Sequence, residues 1–388
     1  MSGIPPLLEM IGALVSTPSI SSADPNLDQG NRAVIDLLAG WLEDTGFSVE
    51  IMPLPGRPAK ANLIATLGSG PGGLVLSGHT DTVPYDEGRW RYDAIGMTEA
   101  DERLYGLGTS DMKSFMALAI EACRDLHSID LHEPVTLLAT ADEETSMSGA
   151  KALVEHDRPH GRCAVIGEPT GLKPVRMHKG IMMESIHLQG HSGHSSDPAL
   201  GNSALEAMHR VIGTVLDWRG ELQARNVNGL FAVPVPTLNL GHIHGGDNPN
   251  RICASCELQI DLRPLPGMRI DELRDELHHR IRLALADSGI GIRFEALFDG
   301  IPAMETPADA GIVRLAERLT GYTPGAVAFG TEAPYLSRLG METVVLGPGN
   351  IEQAHQPDEY LAIDRLDPTV NLLKQFIKSV CIDTPPLI

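Results

Sequence analysis

Residues 178–188, H-K-G-I-M-M-E-S-I-H-L, mark the point at which the chain changes its pattern. From Met182, the residues Glu184, Ile186 and Leu188 follow at every second position, the period of a strand with two unlike faces. Upstream the apolar runs are short and uninterrupted: N-L-I-A-T-L (62–67), L-V-L-S-G (74–78), T-L-L-A-T-A (136–141) and A-V-I-G (164–167). Helical patterns separate them. One covers about 25–45, where Ala33, Leu37, Leu38, Trp41 and Leu42 recur at helical spacing before the stop at Gly46, and another runs from Met112 to about Leu126. Uninterrupted apolar strands alternating with helices predict an α/β layer, a central sheet flanked by helices on both faces.

Downstream of the change, residues 181–298 read as a strand, a helix from about Ser203 to Leu222, strands near 237–243 and 256–262, a helix near 270–287 and a strand ending at Phe298. That β-α-β-β-α-β order is a ferredoxin-like α+β module. The first pattern then resumes, with a helix near 308–320 and the strand T-V-V-L-G (343–347). The middle block is therefore an insertion, and 388 residues are enough for two cores. The expected organisation is a discontinuous α/β domain over 1–179 and 299–388, interrupted by an α+β domain over 180–298.

Composition narrows the function class. Thirty basic against fifty-one acidic residues give a formal charge of −21, which repels phosphate backbones and anionic membranes. Nucleic acid and membrane are excluded as expected partners. The same field favours a cationic substrate, although a well-solvated surface is the plainer reading. The opening M-S-G-I-P-P-L-L-E-M has no basic region before a hydrophobic run, so no secretory signal is expected and a cytoplasmic location follows. Five scattered cysteines fit a reducing compartment. Only Cys253 and Cys256 form a C-x-x-C, and the alternating E-L-Q-I-D-L-R after it predicts buried packing thiols rather than a zinc or redox pair.

The residues suited to chemistry lie at strand ends or in turns: His79, Asp111, Glu144, Glu168 and His355. In open α/β sheets that edge is where ligands bind. His79 and Asp81, two apart in S-G-H-T-D-T-V-P, point to one side of an extended segment, which lets Asp81 fix the imidazole through its other nitrogen. Asp111 follows the glycine-rich turn Y-G-L-G-T-S and starts a helix. Glu143 and Glu144 stand side by side after an apolar strand, a costly placement without cations. Neighbours on an extended chain face opposite ways, so one acid is free to serve as a base while the other binds metal. Singly, each acid is better read as a solvated turn or a helix cap. Together, two histidines and three acids meet the ligand count of two divalent ions sharing one carboxylate.

At these residues the sequence resembles a family of metal-dependent amidohydrolases, that of acetylornithine deacetylase, succinyl-diaminopimelate desuccinylase, aminoacylase and carboxypeptidase G. The motifs S-G-H-T-D-T-V-P, G-T-S-D-M-K, A-D-E-E-T-S-M-S-G-A, I-G-E-P-T, G-H-S-G-H-S-S-D-P and A-H-Q-P-D-E-Y occur in the family's order across essentially the whole chain. M-H-K-G, F-G-T-E-A-P-Y and L-G-P-G-N-I-E-Q resemble the ornithine-specific branch. The resemblance implies that Asp111 bridges two ions, zinc or cobalt, with His79 and Glu168 on one and Glu144 and His355 on the other. It also implies Glu143 as general base, Asp81 as partner of His79, and a lid that pairs into a homodimer. His194 of S-G-H-S matches the family's lid histidine, and Asn250 and Arg263 match substrate contacts; Arg263 has the equally simple reading of a partner for Asp261. His191, His242 and His244 are expected to be surface or packing residues.

The reaction so implied is hydrolysis of an N-acyl amino acid, N-acetyl-L-ornithine in arginine biosynthesis being the favoured substrate. Succinyl-diaminopimelate, another N-acyl amino acid or a dipeptide is the alternative within the class. A metal-binding scaffold without catalysis is the alternative outside it.

Overall fold

The computed structural model describes residues 4–126 and 129–383. The chain forms two compact units. One combines the residues up to Arg176 with Thr306–Gly325 and those from Thr331 onward; the other combines Met177–Glu305 with Ala326–Gly330. The sequence suggested an insertion over 180–298. Among the added residues at its ends, His178 pairs with Met304 and Met177 with Glu305, in strands too brief to show a period.

In the larger unit a mixed sheet runs in the order Ser48–Leu54, Arg57–Leu67, Val135–Thr140, Leu74–His79, Cys163–Pro169 and Glu342–Gly347. The strands Val135–Thr140, Leu74–His79, Cys163–Pro169 and Glu342–Gly347 run parallel, and the first three are buried along their whole length. Their apolar runs show no alternation because both faces are covered. Parallel pairing brings the C-terminal ends of these strands to one edge, with His79 opposite Thr140. The helix Lys113–Cys123 is buried almost throughout and joins the core with the helices Leu7–Val15, Arg32–Asp44, Gly311–Thr320 and Leu366–Ile377.

The helix expected from residue 25 begins only at Arg32. The Asp24 side chain takes the Asn26 N–H at 2.9 Å and its carbonyl takes those of Leu27 and Asp28, so an Asx turn replaces the first helical turns. Lys113 is 2 % exposed, and its ammonium donates to the carbonyls of Leu14 and Thr17 at 3.1 and 2.8 Å. That clamps the end of Leu7–Val15 under the loop before Lys113.

The inserted unit has its own four-stranded antiparallel sheet, ordered Thr237–Gly245, Ser255–Arg263, Met182–Gln189, Gly291–Ala296. With the helices Ala204–Arg225 and Ile270–Ala284 it is the ferredoxin-like module anticipated. Ser203 caps the first helix, accepting the Glu206 N–H at 3.3 Å. Along Ser255–Arg263, Cys256, Leu258, Ile260 and Leu262 are buried at alternate positions, as the period-2 reading requires. All five cysteines are buried and unpaired in disulfides.

Trp218 is the largest fully buried side chain here and sits in the core with Val211, Val215 and Ile260. Replacing it with Ala is expected to cost about 3–5 kcal/mol, measured by chemical denaturation. A loss under about 1 kcal/mol would mean that this core collapses around the gap. Among the described residues no helix is long and apolar enough to cross a membrane.

Candidate metal centre

The centre is built on the C-terminal edge of the parallel strands. Leu74–His79 delivers His79, which is 1 % exposed. Its Nδ1 lies 3.0 Å from the Asp81 carbonyl and its Nε2 lies 3.1 Å from Asp111 Oδ1. A proton on Nδ1 donated to the carbonyl leaves Nε2 as the ligating nitrogen. Burial pushes the His79 pKa down. The hydrogen bond with Asp111 and the negative charges of Glu168 and Asp111 outweigh it, and the imidazole sits well above its ordinary value.

Asp81 corrects an expectation. Its carboxylate is 3.7 Å from His79 Nδ1, outside hydrogen-bond distance. The two oxygens instead accept the backbone N–H groups of Glu143 and Glu144 at 3.2 and 3.1 Å. The main chain of Asp81 thus orients the imidazole while its side chain fixes the acidic pair. Side-chain direction on an extended segment foretold the proximity and not the partner.

Glu143 and Glu144 are not on extended backbone either. They lie in a turn closed by the Asp142 carbonyl, which accepts the N–H groups of Ser146 and Met147 at 3.1 and 2.7 Å. Asp142 itself is left-handed, with φ 58°, and its buried carboxylate takes hydrogen bonds from Lys60, Arg57, Ser21 and Ser148. Six contacts therefore set this corner, and the two glutamates diverge from it. Glu143 offers an oxygen within 4.8 Å of ligand atoms of His79 and Glu168; Glu144 does so with His79 and Asp111.

Asp111 follows Gly106 and Gly108, both at positive φ. Its Oδ1 faces His79, and its Oδ2 lies 3.5 Å from His355 Nε2. The same His355 nitrogen is 3.0 Å from Glu144 Oε1. His355 comes from the loop after Glu342–Gly347 and its side chain is half exposed, whereas the other members are nearly buried. Its hydrogen bonds with Asp111 and Glu144 raise its pKa to about 10. Burial pushes Asp111 up, yet the hydrogen bonds from His355 and His79 hold it below the usual carboxylate range. Glu168 is the next-to-last residue of the strand Cys163–Pro169; it is 5 % exposed, and its Oε1 is buried with no hydrogen-bond partner among the described residues.

The structure thus gathers His79, Asp111, Glu143, Glu144, Glu168 and His355 in one place. Burial first, and then the charges of neighbouring acids, raise the pKa of Glu143 and Glu168 well above normal and that of Glu144 above normal. Four crowded carboxylates and an orphaned buried oxygen fit a site for divalent cations, because bound positive charge offsets such burial. The donors are oxygen and imidazole nitrogen, with Asp111 offering one oxygen to each histidine, and this set fits two hard or borderline ions.

Two further buried acids escaped the sequence reading. Glu332, in F-G-T-E-A-P-Y, accepts the hydroxyls of Ser77 and Thr140, one from each of two adjacent strands. Glu359, in H-Q-P-D-E-Y, accepts the N–H groups of Gly108, Ser110 and Asp111 at 3.1, 2.8 and 2.9 Å on one oxygen. A lone acid directly before A-P-Y was the only available signal for the first.

In the inserted unit, His194 is exposed, with Ser196 Oγ 2.7 Å from its Nδ1. Asn250 is exposed on the turn of Asn248, whose side chain takes its N–H at 3.1 Å. Arg263 Nε donates to both Asp261 oxygens at 2.9 and 3.0 Å. His191, His242 and His244 are exposed. A cavity of 690 Å³ in this unit is lined by Ser195, Asn202, Glu206, Asp247, Asn248 and Arg251 among others, and by none of the six clustered residues.

A model of peptidase family M20/M25/M40 matches residues 75–379. The acetylornithine deacetylase of Edwardsiella ictaluri (strain 93-146) is 50 % identical over 378 residues, 97 % of this chain and 98 % of its own length. Among solved structures, the M20 family metallo-carboxypeptidase of Sulfolobus solfataricus superposes with a TM-score of 0.77 at 18 % identity, covering 97 % of this chain and 99 % of that one. A dinuclear metal-binding M20 peptidase of Bacillus subtilis does so with 0.67 at 15 %, covering 96 % and 98 %. The chain belongs to peptidase family M20/M25/M40.

Proposed function

We propose that this family member hydrolyses the amide of an N-acyl amino acid and that its substrate is N-acetyl-L-ornithine, released as L-ornithine and acetate in arginine biosynthesis. The buried cluster around Asp111, with the orphaned Glu168 oxygen, carries the chemistry. The choice of substrate rests on the deacetylases that are about half identical over almost the full length.

Asp111 would lie between two ions, zinc or cobalt, with His79 and Glu168 completing one site and Glu144 and His355 the other. Such ions polarise the amide carbonyl and acidify water. Glu143, outside that ligand set, takes the proton of the attacking water and hands it to the departing amine. Its burial favours this role, because a desolvated carboxylate binds a proton more strongly than one in water. Asp81 serves by fixing the backbone of Glu143 and Glu144. In the lid, His194 is assigned to the carbonyl oxygen as negative charge develops, with Nδ1 engaged by Ser196 and Nε2 as the donor. Arg263 and Asn250 are assigned to the substrate carboxylate, Arg263 keeping Asp261 as its partner. The reading includes a cytoplasmic homodimer assembled through the lid.

A panel of N-acyl amino acids and dipeptides, assayed while zinc or cobalt is titrated into chelator-treated protein, tests this. N-acetyl-L-ornithine should give the highest kcat/KM, and chelation should lower activity by about 10²-fold or more until the ions are restored. A preference for N-succinyl-diaminopimelate would overturn the substrate, and full activity without divalent ions would overturn the mechanism.

A further inference from the structure

We propose that Glu359 is a positioning residue that holds Asp111 and His355 in register as ligands of the second ion; the inference rests on the two-metal reading above. Glu359 is 1 % exposed, and the hydrogen bonds it accepts come from backbone N–H groups. Its Oε1 accepts the backbone N–H groups of Gly108, Ser110 and Asp111, the shared ligand's own amide among them. Its carbonyl accepts the Gly106 N–H at 3.0 Å. Its neighbour Asp358 takes the Arg91 backbone N–H at 2.8 Å and the Arg91 Nε at 2.6 Å. Beyond it, Tyr360–Ala362 pairs antiparallel with Arg103–Tyr105, Tyr360 opposite Tyr105. Residues 358–362 are thereby stapled along 103–111.

The consequence is geometric. Asp111 sits in a loop between the Arg103–Tyr105 strand and the helix Lys113–Cys123, and His355 sits in a loop after Glu342–Gly347, so no single element fixes their separation. Glu359 does so, four residues beyond His355 and bonded to the Asp111 amide. Converging N–H groups form an anion-binding concavity, here filled from within the chain by a carboxylate. His79 and Glu168, by contrast, are held by sheet strands. Loss of the Glu359 carboxylate should therefore loosen the site that needs both Asp111 and His355 more than the one that needs Asp111 alone.

The test is a calorimetric titration of cobalt(II) into metal-free full-length protein, with the visible spectrum recorded at each equivalent. Outer partners of metal ligands are worth about 10–100-fold in affinity, so Glu359→Ala should weaken the second ion by about tenfold or more while the first stays within about threefold. Glu359→Gln keeps an acceptor oxygen without its charge and should recover part of that loss, with an altered second-equivalent spectrum. Wild-type affinity for both ions in both variants, or an equal loss at both sites, overturns the proposal. Should the Ala variant fail to fold, the Gln variant decides, and a second-ion affinity within about twofold of wild type overturns it. Fewer than two ions in the wild type overturns the two-metal reading and this inference with it; two ions in the wild type with unchanged variants overturns this inference alone.

Discussion

Glu143→Gln is expected to lower kcat by about 10³–10⁴-fold, toward the upper end of what a positioned proton acceptor contributes, while the protein still takes up two divalent ions. The amide keeps the volume and the buried position of the carboxylate but accepts no proton. Steady-state kinetics with N-acetyl-L-ornithine, paired with metal analysis of the same preparation, separates the outcomes. Activity within about tenfold of wild type would remove Glu143 as the base. Loss of an ion would make it a ligand instead, a role its closeness to His79 and Glu168 makes worth testing.

The second large effect is expected at Asp111. Its two oxygens face His79 and His355 separately, at 3.1 and 3.5 Å, so Asp111→Asn, with one neutral oxygen, can accept from only one of them and supplies negative charge to neither. Both ions should bind more weakly, and activity should fall by about 10³-fold or more. The variant also leaves two histidines without the buried charge that they contact, so its denaturation midpoint should shift as well. Metal analysis after dialysis is decisive. If one ion remains at full occupancy, Asp111 is not shared.

Much of this was legible because strands buried on both faces write themselves as plain apolar runs, and an acid or imidazole directly after such a run stands out. His79, Glu143, Glu144 and Glu168 are of that kind, and the structure places all four on one sheet edge. The ferredoxin-like insertion was legible for a different reason. Its sheet has one covered face, so Cys256, Leu258, Ile260 and Leu262 alternate with half-exposed neighbours.

What stayed hidden depends on partners far apart in the chain. Glu359 looks like any acid in a polar loop, and its worth lies in three amides 248 to 251 residues away. Asp81 lay close to its expected target, yet hydrogen bonds to the amides of Glu143 and Glu144 won its carboxylate. The helix expected from residue 25 failed on local chemistry, since Asp24 offers the backbone a turn that competes with helix formation. Periodicity reports burial. It does not report which donor meets which acceptor.

The parallel pairing of Cys163–Pro169 with Glu342–Gly347 also governs how the protein is made. Neighbouring strands of one sheet are here separated by more than 170 residues, and the lid's four strands and two long helices lie between them in the chain. At about 5–20 residues per second of synthesis, the ribosome needs on the order of ten seconds or more to deliver the missing partner. Throughout that interval Cys163–Pro169, an apolar strand, has an open hydrogen-bonding flank on the nascent chain, the kind of surface that recruits stray strands and chaperones. The lid, whose strands lie close together in sequence, has by then been made in full. Pairing at such sequence separation must also overcome loop-closure entropy before it is rewarded, so completion of the sheet, and with it the arrival of His355, is expected late in this protein's maturation.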